Sequence, residues 1–257
     1  MFDLQGRRAV VVGGTSGIGR AIALALADAG ADVVASSRSQ RSVDATANEI
    51  EDRGRKTLRI TVDILDRASM EQLERRVTRE LGPVDILVNS AGMTKRVPTI
   101  DCSEELWNAI MDVNLKGTLY GCQVFGRGML ERRYGRIVNI ASLSTFVAFH
   151  EVTPYGASKA AVGALTKSLA VEWAEKGVCV NAIAPGIIPT ALNKAIIETP
   201  RGKELLVRTP MERFGTPDEM AGAAVYLASE ESGFVTGEII AVDGGFLASG
   251  VNVGVVE

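Results

Sequence analysis

With one histidine and three cysteines in 257 residues, the chain has few ways to build a metal or thiol site. His150, the single histidine, excludes any site needing two imidazoles, and it excludes a Ser-His-Asp triad unless it is itself the base. Cys102, Cys122 and Cys179 are odd in number, far apart and without a C-x-x-C pair, so packed, reduced thiols are expected rather than a disulfide framework or a zinc site. Charge of one sign is also scarce. The 28 basic and 31 acidic residues give a net charge of −3 and a pI near 5.5, which offers no electrostatic footprint for nucleic acid or an anionic membrane. No apolar run reaches the roughly 20 residues of a membrane span. The first six residues show no basic region leading into an apolar one. These absences predict a soluble, cytoplasmic protein with no nucleic-acid or membrane partner and no metal.

What the chain has in quantity is small and aliphatic residues: 46% of it is hydrophobic and 27 positions are glycine. That content can bury one sizeable core, so a single domain over residues 1–257 is expected. The run Arg7 to Val12 is apolar and β-branched, passes through Gly13-Gly14-Thr15-Ser16-Gly17-Ile18-Gly19, and continues into an alanine- and leucine-rich helix pattern. Strand, glycine turn and helix in that order let backbone N–H groups and the positive helix end face a phosphate, as in dinucleotide sites. Further strands are expected at Asp32 to Arg38, Thr57 to Val62, Val84 to Val88, Arg136 to Ile140, Val178 to Ile183 and Glu238 to Val242. They alternate with helix patterns, which predicts an α/β fold: a doubly wound parallel sheet covered on both faces. Asn114 falls inside a helix beginning near Ser103-Glu104-Glu105, and Gly117 and Gly121 beside it predict a kink or close packing.

The pair that organises the chain is Tyr155 and Lys159, four residues apart in a helix expected from Pro154 to Lys176 and therefore on one face of it. A phenol with an ordinary pKa of about 10 is a poor proton donor or acceptor near neutrality, and a neighbouring ammonium would lower that value. Ser142, at the end of a strand, offers a hydroxyl for a substrate oxygen. The same helix is apolar on nearly every face, which requires cover from its own sheet on one side and from another subunit on the other.

Gly13-x-x-x-Gly17-x-Gly19, Asn89-Ser90-Ala91-Gly92, Asn114, Ser142, Tyr155-x-x-x-Lys159 and Pro185-Gly186 together resemble the short-chain dehydrogenase/reductase family, from near residue 6 to near residue 247. Val12 and Ser90 depart from that pattern, where threonine and asparagine are usual. The resemblance implies a single-domain Rossmann fold of seven parallel strands with three helices on each face. It also implies hydride exchange between a nicotinamide and a secondary alcohol or ketone. Tyr155 would be the acid and base, Lys159 would lower its pKa and hold the nicotinamide ribose, Ser142 would orient the substrate oxygen, and Asn114 would support a water. Thr15, Ser16 and Ile18 would join the three glycines around the pyrophosphate. Asp63 and Ile64 would border the adenine, with a helix cap as the alternative for Asp63. Asn89, Ala91 and Gly92 would lie along the ribose and phosphates. Ile188 and Thr190, after Pro185-Gly186, would meet the carboxamide, a solvent-facing loop hydroxyl being the alternative for Thr190. A homotetramer is implied, formed through such helices, with the C-terminal segment Phe246 to Val251 either joining that contact or packed as a tail on its own core.

Within the family the chain is similar to the gluconate 5-dehydrogenase group around Gly92-Met93-Thr94-Lys95-Arg96 and Asp243 to Asn252. A substrate among sugars, polyols or sugar acids is therefore expected. A 3-oxoacyl-carrier-protein reductase is the alternative, although no dense basic patch for an acidic carrier is visible. A nucleotide-binding sensor is disfavoured by the intact Ser142, Tyr155 and Lys159. At the end of the second strand Ser37 and Arg38 replace the acid that would bind an adenosine ribose diol, which predicts NADP(H), with NAD(H) also possible. Lys95 and Arg96 could grip a substrate carboxylate or be solvated loop residues, and a lid over 188–213 would bring Arg208 or Arg213 as competing anchors. His150 would be a wall of the pocket.

Overall fold

The computed structural model describes residues 2–190 and 198–250. Six strands, β1 (Arg8–Val12), β2 (Asp32–Ser36), β3 (Ile86–Asn89), β4 (Gly135–Ile140), β5 (Val178–Pro185) and β6 (Ile239–Val242), form one parallel sheet in the order β2-β1-β3-β4-β5-β6. Alternation along β1 assigns its residues to two cores. Ala9 and Val11 enter the layer under α1 (Gly17–Asp28) and α8 (Pro217–Ala228). Val10 and Val12 enter the opposite layer, under α3 (Arg67–Glu80), α5 (Gly117–Arg132) and α6 (Thr153–Trp173). With α2 (Gln40–Glu51) packed beside α1, three helices cover each face, as expected.

Among the described residues the sheet has six strands, not the expected seven. Thr57 to Val62, expected as the third strand, runs beside β2 but is held to it by backbone hydrogen bonds only at its ends, Val33 N to Lys56 O (3.0 Å) and Val62 N to Ser37 O (3.0 Å). Between them the Ser36 hydroxyl donates to the Ile60 carbonyl (2.8 Å). Ile60 and Val62 are still buried in the α3 layer, so the apolar alternation that suggested a strand reports burial, not a ladder.

The helices start where their caps dictate. Ser39, Asp66, Ser103 and Thr199 each accept a backbone N–H of the first turn, ahead of α2, α3, α4 (Glu104–Met111) and α7 (Pro200–Val207). Ahead of α8, Thr216 and Glu219 form a capping box. At the head of α1, Ser16 makes no side-chain cap and the first turn carries no acid, so the leading N–H groups there keep no side-chain acceptor. The kink expected near Asn114 is a π turn, Asp112–Lys116, joining α4 to α5. None of the described helices is long and apolar enough to cross a membrane.

In register, Ser36, Val12, Asn89, Asn139 and Ala182 lie side by side across five strands. Each is at or near a carboxyl end, so the loops that follow β1, β3, β4 and β5 open on one edge of the sheet. The chain reverses direction of travel between β1 and β3, which is where open α/β sheets have their ligand crevice.

Candidate active site

The glycine turn is built for close approach. Gly13 has φ of +78°, and a Cβ there would stand 2.6 Å from the backbone nitrogen of Ala91 in the loop after β3. Gly17 has φ of +48°, and its missing Cβ faces the Thr190 side chain at 3.4 Å. Thr190 thus reaches from the loop after β5 to the turn after β1. Thr15 donates to the Ser37 hydroxyl (2.8 Å), tying the turn to the end of β2, where Arg38 is exposed and has no partner among the described residues. Uncapped helix N–H groups, bare glycine backbone and a free guanidinium form a cradle that fits a dinucleotide carrying phosphate on its adenosine end.

Several expected contacts fall elsewhere. The Asn89 amide donates to Asn139 Oδ1 (2.9 Å) and Cys122 Sγ (3.4 Å), in a buried chain that continues from Asn139 to Thr166 (3.0 Å), so only its backbone borders the crevice. Ile188 is 3% exposed, its side chain packed into the α1–α8 core. Ile64 packs partly on the α3–α5 core. Asp63 is exposed and accepts from Leu65 N (3.0 Å), while the cap of α3 is Asp66. Pro185 and Gly186 do line the cleft.

On the other side of the crevice, Ser142 follows the end of β4 by two residues, and its hydroxyl oxygen accepts from Ser144 N (3.1 Å). With that lone pair engaged, its proton is free to be donated outward. Tyr155 and Lys159 share one face of α6, with the ammonium 5.8 Å from the phenol ring centre. Lys159 Nζ donates to the Ile140 carbonyl (2.7 Å) and lies 3.7 Å from where a Cβ on Gly92 would be. Burial dominates both titrations. It raises Tyr155 above the ordinary phenol value, with the Ser142 hydrogen bond pulling the other way, and it lowers Lys159 to about 8. The expected lowering of Tyr155 by Lys159 is therefore not a property of the free chain, because the ammonium is turned to a backbone carbonyl and is itself desolvated.

Asn114 is fully buried in the π turn. Its amide accepts from Met93 N (2.8 Å) and donates to Met93 O (2.9 Å) and to Ser158 Oγ (2.9 Å). Ser158 in turn donates to the Tyr155 carbonyl (2.7 Å). Both amide protons are committed, so a water held by this residue would have to be met through the backbone.

Ser142 and Tyr155 line a cavity of about 150 Å³ with Thr94, Ser144, Phe149 and Arg201. The expected anion anchors are elsewhere. Arg96 pairs with Glu151 (2.5 Å), Arg208 with Glu204 (3.2 Å) and Arg213 with Glu219 (2.6 Å), and Lys95 is exposed. The His150 side chain is 79% exposed, not a cavity wall; its carbonyl accepts from Arg201 (2.9 Å). Of the expected lid, 191–197 lies outside the described residues; α7 supplies Arg201 and Leu205 to the cavity. Phe246 packs on Phe149 (ring centres 5.9 Å apart), and Val251 and Asn252 are outside the described residues.

A family model described as enoyl-(acyl carrier protein) reductase matches residues 12–247. The chain belongs to the short-chain dehydrogenase/reductase family. Among the relatives of this family member, the 2-dehydro-3-deoxy-D-gluconate 5-dehydrogenase of Bacillus subtilis (strain 168) is 43% identical over 96% of this chain and 97% of its own length. The 3-oxoacyl-[acyl-carrier-protein] reductase of Thermotoga maritima is 37% identical over 95% and 99%. Among solved structures, a gluconate 5-dehydrogenase from Burkholderia cenocepacia J2315 in complex with NADP and tartrate superposes with a TM-score of 0.93. It is 37% identical and covers 97% of this chain and 98% of that one. As a member of this family the protein is an NAD(P)-dependent oxidoreductase acting on CH–OH groups. Arg201 and Thr94 are among the cavity residues that were given no role from the sequence. Arg201 carried one signal, a cation directly after the Thr199-Pro200 helix start, where the helix dipole disfavours it.

Proposed function

We propose that this enzyme interconverts a secondary alcohol and a ketone on a sugar acid, with NADP(H) preferred. The observation that carries the reading is that Ser142 and Tyr155 line one small, mostly apolar cavity, with Lys159 on the Tyr155 face of α6. NADP+ bound along that turn supplies a hydride acceptor at its nicotinamide, and NADPH a donor. In reduction, Ser142 donates a hydrogen bond to the substrate oxygen while Tyr155 gives it a proton; in oxidation Tyr155 takes the carbinol proton. Lys159 would hold ribose hydroxyls, and Asn114 fixes the Met93 backbone and, through Ser158, the Tyr155 turn. Gly13, Thr15, Ser16, Gly17, Ile18 and Gly19 would hold the pyrophosphate, with Asn89, Ala91 and Gly92 contributing backbone.

Support for a sugar acid comes from relatives named for gluconate and its dehydrated form, and from tartrate in a solved relative. Against an acyl-carrier-protein substrate, Arg96, Arg208 and Arg213 are each neutralised by a carboxylate and so offer an acidic carrier little to dock on. Arg38, exposed and without a partner, supports NADP(H). The further parts of the reading are that the whole chain forms one domain, acts in the cytoplasm and assembles as a homotetramer. The three free thiols, with Cys122 pushed up to about 12 by burial, suit a reducing compartment.

The test is a coupled assay with NADP+ and NAD+ over aldonic acids, their neutral polyols and 3-hydroxyacyl thioesters. Turnover of acids with NADP+ is expected. Arg38→Ala should cut the NADP+ preference by roughly 10- to 100-fold, the worth of a charged hydrogen bond. Turnover confined to thioesters, or a preference that Arg38→Ala does not move, would overturn the respective part.

A further inference from the structure

We propose that Arg201 is the carboxylate anchor of the substrate cavity and that the Thr94 hydroxyl is its neutral companion; the inference rests on the sugar-acid reading above. Among the described residues, Arg201 is the one charged side chain in the wall of the cavity that holds Ser142 and Tyr155. It has no carboxylate partner among those residues, whereas Arg96, Arg208 and Arg213 are each paired. The nearest acid in sequence to its contact at His150 is Glu151, and that carboxylate is taken by Arg96. One of the five N–H groups of a guanidinium is engaged, Nη1 donating to the His150 carbonyl at 2.9 Å. That bond fixes the side chain to the loop ahead of α6 and leaves the remaining donors for a ligand.

Two further features point to an anion there. Arg201 stands in the first turn of α7, which contains no acid, so it places a positive charge at the positive end of a helix dipole. A bound carboxylate would relieve that repulsion. In the wall of the same cavity, Thr94 Oγ1 is buried without a hydrogen-bond partner among the described residues, an arrangement proteins avoid unless a ligand or water completes it. The apolar wall residues Leu143, Phe149, Val152 and Leu205 cannot complete it. A substrate with a carboxylate at one end and hydroxyls along its length answers both groups at once. Held at Arg201 by its carboxylate, such a chain presents to Tyr155 whichever carbinol the spacing of the two side chains allows. Arg201 would then decide both the preference for acids and the carbon oxidised.

The test uses the full-length enzyme with saturating NADP+, comparing D-gluconate with its neutral polyol counterpart D-glucitol. In Arg201→Met, KM for gluconate should rise about 10- to 100-fold, with kcat changed far less, as expected for a lost charged hydrogen bond. The kcat/KM ratio of acid to polyol should fall by the same factor. Arg201→Lys should restore part of that ratio, Thr94→Val should lower it by a smaller factor, and Arg208→Met, on the Glu204 pair, should leave it as in the parent. Arg201→Gln, which can keep the His150 contact, is read alongside so that a folding defect is not taken for a lost anchor. Where the parent ignores the polyol, the KM-against-kcat split on gluconate gives the same decision. A parent active on gluconate whose KM and ratio are unmoved in folded Arg201→Met and Arg201→Gln overturns the anchor and leaves the substrate class standing. A parent that oxidises polyols but no sugar acid overturns the substrate class and the anchor with it.

Discussion

A phenol that must give and take a proton is held here in surroundings that favour its neutral form. Burial raises Tyr155 above the ordinary phenol value, so at neutral pH it is ready to donate and must be deprotonated to accept. Oxidation, which needs the phenolate, should therefore gain kcat/KM as pH rises through the alkaline range; reduction, which needs the phenol, should fall over the same range. Tyr155→Phe should lower turnover about 10²- to 10⁴-fold in both directions and flatten both profiles, while NADP(H) binding by fluorescence titration stays near the parent value. A variant that keeps most of its activity would remove Tyr155 from the proton path. The pair was legible because four-residue spacing fixes a shared helix face whatever else the fold does. The direction of its titration was not, since the spacing says nothing of the Ile140 carbonyl that takes the Lys159 ammonium. Arg96 shows the same limit. Its place after β3 was readable, but Glu151, which comes 55 positions later and neutralises it, was not.

Among the elements, the π turn from Asp112 to Lys116 does the most to shape the site. It inserts one extra residue into the helix line and turns Asn114 inward, where three side-chain hydrogen bonds tie the Met93 loop to α6. Asn114→Ala should destabilise the fold by about 2–4 kcal/mol, since it removes those bonds and leaves a part-buried N–H and C=O of Met93 unpaired. The measurable results are a lower midpoint in urea and a fall in kcat larger than the change in NADP(H) affinity. An unchanged midpoint would mean that the loop after β3 is held by other contacts. The sequence signalled a disturbance here through Asn114, Gly117 and Gly121, because weak helix formers inside an amphipathic run need a reason. It misjudged Thr57 to Val62 for the opposite reason. Leu58, Ile60 and Val62 alternate as a strand would, and they are buried or half-buried, yet the bonds beside β2 are made only at the two ends.

At the scale of the molecule, α6 turns Ala160, Ala164, Ser168 and Val171 outward beside Lys167 and Glu172, with Val171 83% exposed. A helix otherwise buried against its sheet has this surface free for a second copy. Ala164→Lys should break the proposed tetramer into smaller species in light scattering coupled to size exclusion, with the far-UV spectrum unchanged. A parent chain that is monomeric at micromolar concentration would dismiss the assembly. The two-layered core was readable from strand alternation alone, whereas an outward face becomes visible only once the inward one is placed. The buried amine of Lys159 also makes the whole fold a proton-linked equilibrium. Its value drops from 10.5 in the open chain to about 8 on folding, so between those limits the unfolded chain holds a proton that the native one has released. Native stability from this group accordingly grows as pH climbs from 8 toward 10.5, and it is least at and below neutrality. The free enzyme is thus braced worst where its lysine is charged and ready, and a ligand whose oxygens solvate that ammonium restores to the fold what desolvation removes.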